Sequence, residues 1–322
     1  MHTKGTNHTM KKMHVSAINR KVRDDEKLFV EECDRKYNEK LVAIADSIEE
    51  HQKEKPILLL AGPSGAGKTT TALKIEEILD SRGIHTHTIS MDDYFLPSDS
   101  FTAVIGEDGK PDYESPDRID RKLLYEHMEK INSGEEVVLP KFEFSEQCRR
   151  DGERLRRNKN DIVVFEGIHA LNDTLTEKIA EDQKFRIYIS PLTQLNIDVH
   201  NRVPTTDARM LRRIVRDYKF RGHSAEQTIA LWPKVRSGED VNIFPYNGRA
   251  DVLFNSALVY ELSVLKKYAQ PLLEAVKPEA EVYSEAVRML KFIRFFDVIE
   301  NEKDIPNNSI MREFIGGSVF VE

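Results

Sequence analysis

Apolar and polar positions along this chain follow two periods, and the change between them marks the elements. Residues 27–52 space Leu28, Val30, Leu41, Ile44, Ala45 and Ile48 at helical intervals. The stretch from Lys53 to Pro56 ends that pattern, because proline disfavours helical backbone in the residue before it. Short apolar runs then alternate with helical stripes: PILLLA, the helical TALKIEEILD, IHTHTIS, the helical RIDRKLLYEHMEKI, EEVVLP, DIVVFEG and FRIYIS. Several of these runs are apolar at nearly every position, as strands of a parallel sheet covered on both faces must be. The alternation predicts a doubly wound α/β core, a three-layer sandwich, over about residues 53–260. Residues 1–52 read as a polar tail and a helix. Helical stripes at 258–276 and 283–299 and the closing SIMREFIGGSVF read as an extension over 261–322 that packs on the core or on another subunit.

Composition narrows the class. With 39% apolar and 32% charged residues the chain suits a globular enzyme with ample core material. A net charge of −7 lacks the basic footprint of general nucleic-acid binding, so no direct nucleic-acid partner is expected. Cys33 and Cys148 are too few for a disulfide framework and point to a reducing compartment. No apolar stretch approaches the roughly 18–20 residues that span a bilayer. The opening MHTKGTNHTMKKMH has no apolar signal-peptide region. A cytoplasmic protein without a membrane partner is expected, assembled as a homo-oligomer.

The chemistry starts at GPSGAGKTT. Gly62-x-x-x-x-Gly67-Lys68-Thr69 is a full phosphate-loop pattern, with an apolar strand before it and an amphipathic helix after it. The loop of Gly62, Pro63, Ser64, Gly65, Ala66, Gly67, Lys68, Thr69 and Thr70 would wrap the phosphates, with backbone N–H groups at every position but Pro63. Lys68 reaches the β/γ oxygens, the Thr69 hydroxyl coordinates Mg²⁺, and the following helix aims its N-terminus at the same anion. ATP or GTP with Mg²⁺ is therefore the expected cofactor set. Asn158-Lys159-Asn160-Asp161 matches a guanine-reading N-K-x-D, but it precedes the strand IVVFEG. Ligands of open α/β sheets sit at the carboxyl ends of strands, so this tetrapeptide reads as a polar turn.

Two acids occupy such carboxyl ends. SMDDYF places Asp92 beside the phosphate loop, where a base toward an attacking hydroxyl belongs. VVFEG ends in Glu166, suited to hold Mg²⁺ directly or through water. Downstream, Arg202, Arg209, Arg212, Arg213, Arg216, Lys219 and Arg221 form a cationic row. Arg209, Arg213 and Arg216 are four and three residues apart, which predicts one helical face closing over a triphosphate. Transfer of the phosphoryl group is favoured over hydrolysis by this combination.

Taken together, GPSGAGKTT, SMDDYF, PDYESPD, LPKFEFSEQCRR, VVFEGIHAL and RRIVRDYKFRGHS resemble the uridine kinase/phosphoribulokinase family of P-loop kinases, in the family's order over about residues 55–260. A bacterial uridine/nucleoside kinase branch is most similar, through stretches such as ALWPKVRSGEDVNIFPY and REFIGGSVF. Members of that branch often carry a TGS and threonyl-tRNA-synthetase-like region ahead of the kinase, which is not expected here. The resemblance implies a P-loop NTPase fold of the nucleoside monophosphate kinase type with a helical lid. It makes Asp92 the general base toward a nucleoside 5′-hydroxyl. It places Tyr113, Glu114, Phe142, Phe144 and Gln147 at the nucleoside, and Arg213, Arg216 and Arg221 at the lid or substrate. Several positions depart from the family's usual residues: Asp93, Phe95, Glu114 for aspartate, Gln147 for a base-reading histidine, His223 for arginine and Leu231 for glutamine. Arg149, in the basic stretch before DGERLRR, is a further candidate for substrate contact, or else part of a solvated hairpin. The expected activity is phosphorylation of a nucleoside 5′-hydroxyl, uridine or cytidine by default. The alternatives are a small-molecule kinase of the sugar phosphate or pantothenate type and a non-catalytic nucleotide-binding regulator.

Overall fold

A computed structural model describes residues 13–97, 104–106, 109, 112, 114–143, 146–193, 195–197 and 202–320. Tyr113 and Phe144, both expected at the nucleoside, lie outside these residues. The chain opens with β1 (Met13–His14) and a long helix α1 (Val15–His51). This helix is interrupted at Asp25, whose φ of −160° and ψ of 93° are not helical. Asp25 restarts it as a cap, its Oδ1 accepting from the Leu28 N–H at 2.9 Å. The apolar face of the second segment runs through Phe29, Val30, Cys33, Tyr37, Leu41, Ile44, Ala45 and Ile48. Leu28, expected on that face, is 51% exposed. Two positions before Val30 it lies about 200° round the helix, so Phe29 takes the inward place.

Next come β2 (Ile57–Ala61), α2 (Lys68–Ser81), β3 (Thr86–Ser90), α3 (Arg121–Ser133), β4 (Glu136–Glu143), β5 (Cys148–Arg156), β6 (Ile162–Glu166), α4 (Asp173–Thr176), β7 (Lys184–Ser190) and β8 (Leu195–Asn196). The chain continues through α5 (Thr205–Arg221), α6 (Ala225–Asn242), β9 (Val252–Asn255), α7 (Glu261–Glu274), α8 (Tyr283–Ile293) and α9 (Arg312–Ile315). Five strands form an all-parallel sheet in the order β3-β6-β2-β7-β9. The α/β sandwich expected from the strand–helix alternation is thus present. Successive side chains of a strand point to opposite faces, so β2 sends Leu58 and Leu60 to one core and Ile57, Leu59 and Ala61 to the other. Each fully buried leucine contributes about 1.5–3 kcal/mol.

Two expectations are corrected here. EEVVLP is not a strand of the main sheet; β4 pairs antiparallel with β5 in a separate hairpin. Its burial alternates along the strand, with Val138 at 37% exposure, so only one face is covered and the continuous apolar pattern of a central strand is absent. The sheet also gains an edge strand, β9, that the apolar pattern does not announce because Leu253 is 68% exposed.

The first core is continuous from Val15 in α1 to Ile315 in α9, and takes in one sheet face, α5, α7 and α8. The C-terminal segment therefore returns to the phosphate-loop end of the sheet. The second core lies between the other sheet face, α3 and the β4–β5 hairpin. Among the described residues no helix is long and apolar enough to cross a membrane.

Candidate active site

The loop 62–67 joins β2 to α2. At Gly62 a Cβ would lie 2.2 Å from the Ile189 carbonyl oxygen, so only glycine fits against β7. Gly65 and Gly67 have φ of 74° and 81°, the left-handed region that side chains disfavour. Gly67 is the N-cap of α2, and its conformation turns the loop into the helix. The loop is held from behind. Arg209 Nε donates to Ser64 O at 3.0 Å, Arg212 Nη1 to Gly65 O at 3.2 Å, and Ser256 Oγ to Ala66 O at 2.6 Å.

Beside the loop, Glu166 ends β6 and Asp92 follows β3, the neighbouring strand in register. Thr69 Oγ1 donates to Glu166 Oε1 at 3.3 Å. Burial, reinforced by the Asp92 charge, pushes the Glu166 carboxyl up to about 7. Burial also raises Asp92, against the opposing pull of Lys68 and Arg221. The Thr69 hydroxyl and the Glu166 carboxylate are hard oxygen donors that fit Mg²⁺, which is usually held by one or two carboxylates plus substrate phosphates. Asp93 points elsewhere. Its Oδ1 accepts from the Phe142 N–H at 3.0 Å and faces Lys141 Nζ at 3.6 Å, tying the β4–β5 hairpin to the end of β3.

The cationic row divides in two. Arg209, expected on the closing face, instead turns inward with Arg212. Arg209 pairs with buried Glu239 and lies over Trp232, while Arg212 pairs with buried Glu261 at 2.5 Å. These two support the loop and do not close over it, because each has a buried carboxylate on the inner side of α5. Arg213, Arg216 and Arg221 converge on Asp217, which is almost fully buried. Arg213 Nε donates to Asp217 Oδ2 at 3.1 Å and Arg216 Nη2 to Oδ1 at 2.6 Å. Arg213 Nη1 also reaches Ser64 Oγ at 3.1 Å. Burial works against the Asp217 charge, but the three guanidinium groups outweigh it and hold the carboxyl below its usual range. Crowding by Arg216, with some desolvation although half of the side chain stays exposed, lowers Arg221 to about 10.

Where a nucleoside is expected, Glu114 stands near Arg213, Glu239 and Asp92, and burial pushes its carboxyl up to about 7. Its carbonyl accepts from Asn242 Nδ2 at 3.2 Å. His169 is buried beside Glu114 and Asn242, and burial brings its imidazole down to about 4, so it is neutral. Phe142 is only 3% exposed and packs edge-on to Phe95 at 5.8 Å. Gln147 occupies a left-handed position in the hairpin turn, φ 51°. Arg149 pairs with Asp120 at 3.0 Å. The His223 backbone N–H donates to Asp217 O at 3.1 Å, and Leu231 is 42% exposed on α6. The N-K-x-D segment is a polar turn as expected: Asp161 accepts from Asn158 N–H and Nδ2, both at 2.9 Å, at the start of β6.

A P-loop with an acid at the next strand end and an arginine cluster beyond it matches a known sequence family, described as the phosphoribulokinase/uridine kinase family, over residues 57–263. The chain belongs to this family. Membership makes it a phosphotransferase of the P-loop kinase kind. Among curated relatives, the uridine kinase of Halobacterium salinarum is 29% identical over 196 residues, covering 60% of this chain and 77% of that protein. The uridine kinase of Macrococcus caseolyticus is 28% identical over 198 residues, covering 61% and 86%. A solved structure described as a possible uridine kinase from Bacillus stearothermophilus aligns with a TM-score of 0.45 at 16% identity, over 67% of this chain and 97% of that one. The family match ends before α8 and α9.

Asp217, Glu239 and His169 escape the motif reading. Asp217 has a signal in hindsight, as the one acid within RRIVRDYKFR. Glu239 shows only its local pair with Arg236, because the buried bond that fixes Arg209 comes from 30 residues away.

Proposed function

We propose that this protein is an ATP- and Mg²⁺-dependent nucleoside kinase that phosphorylates a 5′-hydroxyl, with uridine or cytidine as the default acceptor. The observation that carries the reading is Asp92. It stands at the strand end beside Glu166 and the phosphate loop, in the field of Lys68, Arg216 and Arg221. In this role Asp92 accepts the hydroxyl proton as the oxygen attacks the γ-phosphorus and ADP departs. Lys68 and the Asp217-bound arginines would neutralise charge on the transferring group. Thr69 and Glu166 would hold Mg²⁺, which when bound supplies charge neutralisation between the phosphates.

On the acceptor, Glu114, Phe142, Gln147, Arg149, Arg221 and His223 are proposed to line the nucleoside side. A second reading has one specific support. Phe142 turns into the second core, which leaves little ring face for stacking a base and favours a smaller alcohol such as a sugar phosphate. An ADP-release assay across the common nucleosides, sugar phosphates and pantothenate, with a no-acceptor control, separates the two. Turnover with a pyrimidine nucleoside supports the proposal. Turnover only with a non-nucleoside alcohol overturns it in favour of the second reading, and ATP binding without any acceptor turnover points to a regulator.

A further inference from the structure

The C-terminal segment reaches the phosphate loop. Thr70 Oγ1 donates to Glu313 Oε2 at 2.6 Å, and the Thr70 backbone N–H approaches the same oxygen at 3.4 Å. At Gly67 a Cβ would lie 2.1 Å from Ile310 Cδ1 and 3.9 Å from Glu313 Oε2. The segment thus lies across the first turn of α2, from Gly67 to Thr70, where a helix N-terminus offers its unpaired N–H groups to an anion. A carboxylate already occupies that place.

The backbone carrying Glu313 is firmly anchored. Lys74 Nζ donates to Asn308 O at 2.7 Å, and Tyr260 Oη lies 3.1 Å from Ser309 Oγ. Arg312 Nη2 donates to Glu302 O at 2.6 Å and Ile305 O at 2.7 Å. The Arg212 guanidinium lies 4.9 Å from the centre of the buried Phe314 ring. Glu313 itself is held more lightly. Among the described residues it forms no ion pair, and its hydrogen bonds go to Thr70. The side chain is therefore tied only to the donors that a phosphate would claim, while the segment is anchored elsewhere.

We infer that Glu313 is a resident competitor for the phosphate of a nucleoside di- or triphosphate, holding the Thr70 end of the loop until the nucleotide displaces it. The C-terminal segment thereby sets nucleotide affinity from outside the region that matches the kinase family. This inference rests on the nucleotide-binding part of the proposed function. A bound phosphate must take over the Thr70 donors and also meets the nearby negative charge, so removing that charge strengthens binding.

Calorimetric titration of the full chain with MgATP, MgGTP and inorganic tripolyphosphate, with no acceptor present, tests it. Glu313→Gln keeps the shape and removes the charge, and Glu313→Ala also frees Thr70. Both are expected to bind all three ligands about tenfold more tightly than the parent, the scale of one like charge removed from a partly buried anion site. Urea melts establish that each variant is folded, and Glu313→Gln carries the test if the alanine variant is not. Unchanged or weaker binding by a folded Glu313→Gln overturns the inference while leaving the phosphate-loop reading intact. A gain confined to one base overturns it too, since Glu313 would then be reading the base. If the folded parent and both variants bind none of the three ligands, the phosphate-loop reading itself falls, and this inference with it.

Discussion

Asp217 is the residue whose loss the structure prices most clearly. Its side chain is 1% exposed and accepts from Arg213 at 3.1 Å and from Arg216 at 2.9 and 2.6 Å, with Arg221 at 3.7 Å. Asp217→Asn keeps the volume but removes the charge on which three guanidinium groups converge. Breaking a buried charge pair costs about 3–5 kcal/mol. Arg221 is half exposed, so its share is screened by solvent and is discounted. The low end of the range, about 3 kcal/mol, is expected for this chain. Unfolding entropy near 2 cal/mol/K per residue then converts it to a fall of about 5 °C in Tm. Activity should fall further than stability explains, because Arg213 and Arg216 lose the anchor that sets their position at the loop.

Thermal and urea melts with and without MgATP, alongside kcat and KM, measure both effects. A phosphate ligand partly replaces the lost carboxylate, so MgATP should raise the Tm of the variant by more than that of the parent. A stability loss below about 1 kcal/mol with unchanged kcat would refute the claim that Asp217 organises these arginines. An equal MgATP shift in both proteins would refute their orientation toward the phosphates.

Other outcomes follow from the same geometry. Asp92→Asn should lower kcat by about 10²–10⁴ while MgATP affinity is kept; activity within about tenfold of the parent would remove Asp92 as the base. Gly62→Ala places a methyl against the Ile189 carbonyl and should cost about 1–3 kcal/mol in a urea melt together with nucleotide binding. A stable, nucleotide-binding alanine variant would contradict that packing. The Glu114 carboxyl is raised to about 7 in the fold, so its contribution to stability is full below the ordinary carboxylate range and is lost as pH rises through about 7. Glu114→Gln should therefore flatten the decline in melting temperature between pH 5 and pH 8; a parallel pair of curves would mean that Glu114 is not buried in this way.

Much of the candidate site's plan is written locally and is legible for that reason. The phosphate loop depends on glycines that only a tight turn needs, on an apolar strand before it and on a helix after it, all contiguous in sequence. Glu166 is legible because it ends an apolar run and Asp92 because it follows the next strand, and strand ends in a parallel sheet lie on one edge. Asp161 likewise declared itself a turn residue by preceding its strand. These features need only the short range of turn chemistry and side-chain alternation.

What the tertiary structure decided are the choices among side chains of one type. Helical spacing placed Arg209 with Arg213 and Arg216, yet Arg209 turns inward because Glu239, on another helix, waits there. Arg213 and Arg216, by contrast, are gathered by Asp217 on their own helix, four and one residues away, a pairing that is local in sequence. EEVVLP became a hairpin strand because β5 supplied its partner and one face stayed wet. Glu313 meets Thr70 across 243 residues of chain, a contact that no local pattern encodes. Local periodicity and turn chemistry determine which elements form and what their edges offer. Which charge meets which is settled only when the elements pack, because burial makes each carboxylate select a partner across space.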